Sequence, residues 1–148
     1  MKKQRIRVLA LCIFSHRGNI LAFEGYDSQK NKSFYRPLGG AVEFGEPVEA
    51  AMRREIREEM GEEITHLRQL GVLENLFTYE GEQGHEIVFV FDADFKHKSV
   101  YTRKDLKASE DDGMQFKLRW LQISGLTQLK YPLYPDGITQ LILEQNYS

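Results

Sequence analysis

The sequence predicts an α/β chain in which a mixed β-sheet lies between helices. Three observations carry this. Residues 87–95, opening Ile-Val-Phe-Val-Phe, form the strongest strand signal in the chain. Glu46-Pro47 opens a helix that runs to Met60, where Gly61 is a natural stop. Ile138, Leu141, Ile142 and Gln145 recur at helical spacing near the far end. Strands interleaved with two helices bury their apolar faces most simply when helices cover both sides of a sheet.

The remaining elements follow in order. Residues 5–14 are rich in Val, Ile and Leu and read as a strand; 15–19 form a turn, and 20–23 return as a second strand. The polar stretch 27–33 reads as a loop, and 34–40 lead through a Pro-Leu-Gly-Gly corner into the first helix. Residues 67–79 hold one or two strand segments, 79–84 a hairpin connection, and 115–121 another strand. Residues 96–112 are polar and charged and read as a long surface loop, a kind that is often functional. There is no repeat, low-complexity segment or linker, so the 148 residues are expected to form one domain.

Composition narrows the function classes. The chain is 41% hydrophobic and 28% charged, with a formal net charge of −2. That balance lacks the basic footprint of a protein that grips long nucleic acid. It leaves room for a small anionic ligand if local cations offset the charge. The lone cysteine, Cys12, allows no intrachain disulfide and no cysteine-based zinc site, and its apolar neighbours suggest a buried, inert thiol. No apolar run approaches the roughly 20 residues that cross a bilayer, and no secretory signal is visible. A cytoplasmic protein with no membrane partner is the expectation.

The informative segment runs from Gly40 through the first helix. Each helical residue advances by about 100°. Glu55 and Glu59 therefore share one stripe, with Glu58 beside them, while Val48, Met52 and Ile56 form a neighbouring apolar stripe. Like charges four residues apart destabilise a helix, and acidic groups near its C-terminal end oppose the macrodipole. Two readings are open. The carboxylates form a solvated face partnered by Arg53, Arg54 and Arg57, or they hold a divalent cation, for which hard oxygens suit Mg²⁺ or Mn²⁺. Gly39 and Gly40 favour the second, because backbone without Cβ can approach a ligand closely.

Gly40, Glu46, Arg54, Glu55, Ile56, Glu58, Glu59 and Gly61 stand at the spacing of the Nudix box, and the segment resembles the signature of the Nudix hydrolase family, MutT-like members included. The final aliphatic position of the box is Glu62 here, with Ile64 the next apolar residue, and the usual Pro-Gly-Gly is replaced by Pro37-Leu38-Gly39-Gly40. The resemblance implies a Nudix-like α/β/α sandwich. It implies that Glu55, Glu58 and Glu59 hold Mg²⁺, or Mn²⁺ in its place, with the Gly39 carbonyl and an acidic residue from a later loop. Glu110 is favoured over Asp111 and Asp112 for that last role. Arg54 would orient the carboxylates, and Glu46 would support the loop–helix geometry, with Gly61 closing the box.

The implied chemistry is metal-assisted hydrolysis of a phosphoanhydride in a small nucleoside diphosphate derivative: a triphosphate, ADP-ribose or a related compound. Glu55, Glu58 or an acid of the later loop would accept the proton. Phe34 and Tyr35 are candidates to stack on a base and Arg36 to meet a phosphate, with Gly40 presenting backbone; strand alternation predicts that one of the two aromatics is core. A noncatalytic Nudix module that binds a nucleotide or a protein is the alternative, disfavoured by three retained, mutually repelling carboxylates. RNA decapping is a weaker option without a basic stripe. Many relatives are dimers, so a homodimer is one assembly the resemblance implies.

Overall fold

The computed structural model describes residues 4–110 and 112–148. Its strands are β1 (Arg7–Ile13), β2 (Ser15–His16), β3 (Asn19–Asp27), β4 (Lys32–Arg36), β5 (Leu38–Ala41), β6 (Ile64–Tyr79), β7 (Glu82–Phe95), β8 (Lys107–Ser109) and β9 (Gln115–Gln122). Its helices are α1 (Val48–Met60) and α2 (Ile138–Glu144). One sheet has the order β5-β1-β7-β6, with β1 parallel to β7 and the other pairs antiparallel. The second has the order β2-β3-β9-β8, with β4 added to β3. No helix among the described residues is long and apolar enough to cross a membrane.

Strand alternation explains the sandwich. On β1, Ala10 and Cys12 face one core with Phe91, Met52 and Ile56, while Leu9, Leu11 and Ile13 face another with Val88, Val90, Ile138 and Ile142. Successive side chains of a strand point to opposite faces, so β1 and β7 are buried on both, under α1 on one side and α2 on the other. A strand covered on both faces needs a continuous apolar run, which is why residues 8–14 carry no charge. Met52 and Ile56 of α1 are fully buried, each contributing about 1.5–3 kcal/mol relative to exposure. The α/β class read from the sequence is the class observed.

Several boundaries differ. The expected loop 96–112 contains a 3₁₀ helix, Lys98–Thr102, and strand β8; Val100, Leu106 and Ala108 are buried in the α1-side core. These apolar residues are too widely spaced among charges to register as a pattern. The expected loop 27–33 shortens to a turn at residues 28–31, since β3 continues through Asp27 and β4 begins at Lys32. Residues 67–79 belong to one strand, β6, whose register shifts between Thr65 and Arg68 and between Gln69 and Gly71, as β-bulges produce. Pro47 stands at the cap just outside α1 rather than in its first turn. A 3₁₀ helix at Ile123–Gln128 had no counterpart in the sequence reading.

Two buried carboxylates tie distant segments together. Asp27 Oδ1 accepts from the N–H groups of Gln29 and Lys30 at 3.0 and 3.2 Å, and its Oδ2 accepts from the Glu80 N–H at 3.2 Å. It thus caps the β3–β4 hairpin and the β6–β7 hairpin at once. Asp92 receives Arg68 Nε and Nη2 at 3.2 and 2.7 Å and the Tyr147 hydroxyl at 2.6 Å. Burial of Tyr147 and its bond to Asp92 push the phenol well above its ordinary range, so it remains a donor.

Candidate active site

The first helix is placed by its own ends. Gly61, in the left-handed region at φ 70°, donates its N–H to the Arg57 carbonyl at 2.8 Å and stops the helix where the sequence predicted. The non-aliphatic end of the box also resolves: Ile64 is buried in the core, and Glu62 pairs with Arg103 at 3.2 Å. Before the helix, Glu43 and Glu46 close a tight turn, with the Glu46 N–H donating to the Glu43 carbonyl at 3.0 Å.

Arg54 is the hub. Its Nε and Nη2 donate to the two Glu46 carboxylate oxygens at 2.7 and 2.9 Å, a bidentate pair, and Nη2 also reaches the Ala41 carbonyl at 2.9 Å. Its Nη1 donates to Glu55 at 3.0 Å and Glu58 at 3.1 Å. Such paired charge-assisted bonds are strong and fix orientation. The guanidinium holds the Glu46 carboxyl below the usual carboxylate range. Arg54 therefore locks the turn, the end of β5 and two of the three helix carboxylates into one unit.

Glu59 stands apart from that network. It is only 7% exposed, its Oε1 is buried with no hydrogen-bond partner, and burial pushes its carboxyl up to about 8. Arg36 and a backbone hydrogen bond from Gly39 oppose the shift, while the charges of Glu55 and Glu110 add to it. Glu55 and Glu110 thus act on Glu59 from the helix and from the segment preceding β9. Glycine is required beside them. A Cβ on Gly40 would strike the Glu55 carboxylate, and one on Gly39, at φ 145°, would overlap the Ala10 carbonyl oxygen.

The expected site residues are mostly, but not all, brought together. Glu55, Glu59, Gly39, Gly40 and Arg36 adjoin one another, and Glu110 lies close enough to act on Glu59. Glu58 is more exposed and turned toward Arg54. Consistent with that, no group of three or more His, Cys, Asp or Glu among the described residues already forms an ion cage. Asp112 caps its own turn by accepting the Met114 N–H at 2.9 Å, and Asp111 lies outside the described residues. Tyr35 points away into the α2-side core beside Tyr131, which removes it from the stacking candidates; Phe34, one residue earlier, lies on the α1 side. Tyr79, which the sequence reading did not single out for the site, is 43% exposed and meets Phe34 edge-to-face at 5.9 Å. Its place two residues beyond Phe77, at the hairpin end of a strand, was the available signal.

The model of the NUDIX domain family matches residues 3–139. The chain belongs to the NUDIX family. No curated protein matches it significantly. Among solved structures it is similar to a MutT NUDIX hydrolase from Burkholderia pseudomallei, at 25% identity and TM-score 0.68, covering 97% of this chain and 100% of that one. It also resembles the E. coli ORF135 protein, at 23% identity and TM-score 0.65, over 96% and 90% of the two chains. An ADP compounds hydrolase shares the fold at 15% identity and TM-score 0.66, over 94% and 71%. The NUDIX fold and hydrolase family are thereby shown.

The raised Glu59 carboxyl has a consequence for stability. Its folded value of about 8 exceeds the ordinary 4.5, so between these limits the folded chain binds more protons than the unfolded one. Stability from this group is fully present below 4.5 and is lost as pH rises through 8. At about 1.4 kcal/mol per unit, the change is on the order of a few kcal/mol. The metal-free protein is expected to melt several degrees lower at about pH 8.5 than at about pH 5.5, measured by calorimetry in chelator. A flat or rising Tm across that window would contradict the burial of this carboxylate.

Proposed function

We propose that this NUDIX protein is a divalent-cation-dependent hydrolase that cleaves a phosphoanhydride bond in a small nucleoside diphosphate derivative, such as a nucleoside triphosphate or ADP-ribose. The observation that carries the reading is the buried, unpartnered Glu59 carboxylate oxygen beside Glu55 and Glu110. A buried carboxylate oxygen without a partner, facing the charges of two further carboxylates, is costly unless a cation shares them. The donor set is all oxygen, which fits Mg²⁺ and accepts Mn²⁺.

Glu55 and Glu59 would hold the ion, with the Gly39 carbonyl, Glu110, and Glu58 once it leaves Arg54. Bound there, the ion supplies charge neutralisation at the phosphate oxygens and acidifies a ligating water. This chain's part is positioning and proton removal. Arg54, fixed by Glu46, holds Glu55 in place, and Glu55, the released Glu58 or Glu110 accepts the proton. Gly40 lets the Glu55 carboxylate pack against β5, where a Cβ would strike it.

The test is a product assay with Mg²⁺ and, in parallel, Mn²⁺, over nucleoside triphosphates, ADP-ribose, nucleotide sugars, dinucleotide cofactors and dinucleoside polyphosphates. Turnover of at least one, lost on chelation, is expected. Pyrophosphate release would identify a triphosphate substrate; AMP with a sugar phosphate would identify ADP-ribose. Silence with both metals across the panel would replace the hydrolase reading with that of a binding module.

A further inference from the structure

Resting on the hydrolase reading, we propose that Arg36 is the residue that binds the diphosphate of the substrate, and that Phe34 and Tyr79 beside it receive the base. Phe34 and Arg36 are two residues apart on β4 and so share its α1-side face. The Arg36 guanidinium lies over the Phe23 ring at 4.9 Å. A cation–π contact supplies no hydrogen-bond acceptor, so the N–H groups still require one. Among the described residues Arg36 Nε is buried without a hydrogen-bond partner, and the side chain forms no ion pair. Its charge nonetheless reaches both Glu59 on one side and Tyr79 on the other.

Two unsatisfied groups therefore stand near each other, a cationic donor at Arg36 and a carboxyl oxygen at Glu59. They do not pair directly. A phosphate chain satisfies both, taking the donors of Arg36 and the cation held by Glu59. On the outer side of Arg36 the aromatic rings continue. Phe34 lies against Gly25, where a Cβ would collide with the ring, and it meets Tyr79 at 5.9 Å and Tyr134 at 5.7 Å. Tyr79 and Tyr134 are 43% and 37% exposed, so this wall has open faces on which a base can stack. Asp27 ties together the two hairpins that supply Phe34 and Tyr79.

The probe is ADP with Ca²⁺, followed by calorimetric titration at several salt concentrations, with Mn²⁺ titrated alone as a separate measurement. Arg36→Gln is expected to weaken ADP by about tenfold or more and to make its salt dependence shallower, with Mn²⁺ affinity unchanged. Arg36→Lys should keep the salt dependence, and Tyr79→Leu should weaken ADP without altering it. A purely structural Arg36 would leave the salt dependence as in the parent. The proposal is overturned if Arg36→Gln binds ADP within twofold of the parent, if affinity drops with an unchanged salt slope, or if the parent binds none of ADP, GDP, CDP and UDP. Failure to bind Mn²⁺ would instead sink the hydrolase reading beneath it.

Discussion

Glu59→Gln is expected to lower turnover by about two orders of magnitude or more while making the metal-free protein more stable above about pH 8. The two effects have one origin. Glu59 is buried to 7% exposure with an unpartnered oxygen, and burial raises its carboxyl to about 8. Above that pH the folded chain carries a desolvated negative charge repelled by Glu55 and Glu110. Glutamine keeps the shape and can still accept the backbone hydrogen bond from Gly39, so the repulsion goes without opening a cavity. It also removes the anion a cation would need. Calorimetry in chelator at about pH 9 and steady-state rates at saturating Mg²⁺ check the pair. A variant both fully active and no more stable would refute the assignment of Glu59.

Gly39→Ala is expected to cost about 3 kcal/mol or more in urea unfolding. The position combines two penalties. Its φ of 145° is one that side chains rarely adopt, at a cost of about 1–3 kcal/mol. A Cβ there would also overlap the Ala10 carbonyl oxygen on β1, where Leu11 and Gly39 are register partners. Relieving the overlap means prying β5 from β1, and β1 is central to its sheet. The same movement displaces the Gly39 backbone that bonds Glu59, so activity should fall with stability. An unchanged unfolding midpoint would show that the β5–β1 contact is looser than the structure has it.

The carboxylates proposed to hold the ion were legible because their spacing is written within one helix. Glu55, Glu58 and Glu59 are set by a fixed angular step, and the Glu46–Arg54 pairing spans eight residues across one turn. Strands β1 and β7 were legible for a related reason, since burial on both faces demands consecutive apolar residues. Contacts between segments far apart in sequence were not. Nothing local says that Arg36 lies over Phe23, that Asp27 caps residue 80 as well as its own turn, or that Tyr79 faces Phe34. Strand β8 escaped because Leu106 and Ala108 anchor it with two side chains among lysines and acids. Tyr35 could be separated from Phe34 only as one of an alternating pair; choosing which faced inward required knowing where α2 lay.

The shared cap at Asp27 links the lengths of two hairpin tips that belong to different sheets. One carboxylate fits the Gln29 and Lys30 amides and the Glu80 amide only when both turns have their present size. Adding or deleting a residue at either tip would strand that buried anion, so the two tips can change size only in concert. Loop grafting at this end of the molecule must therefore exchange both turns as a single cassette.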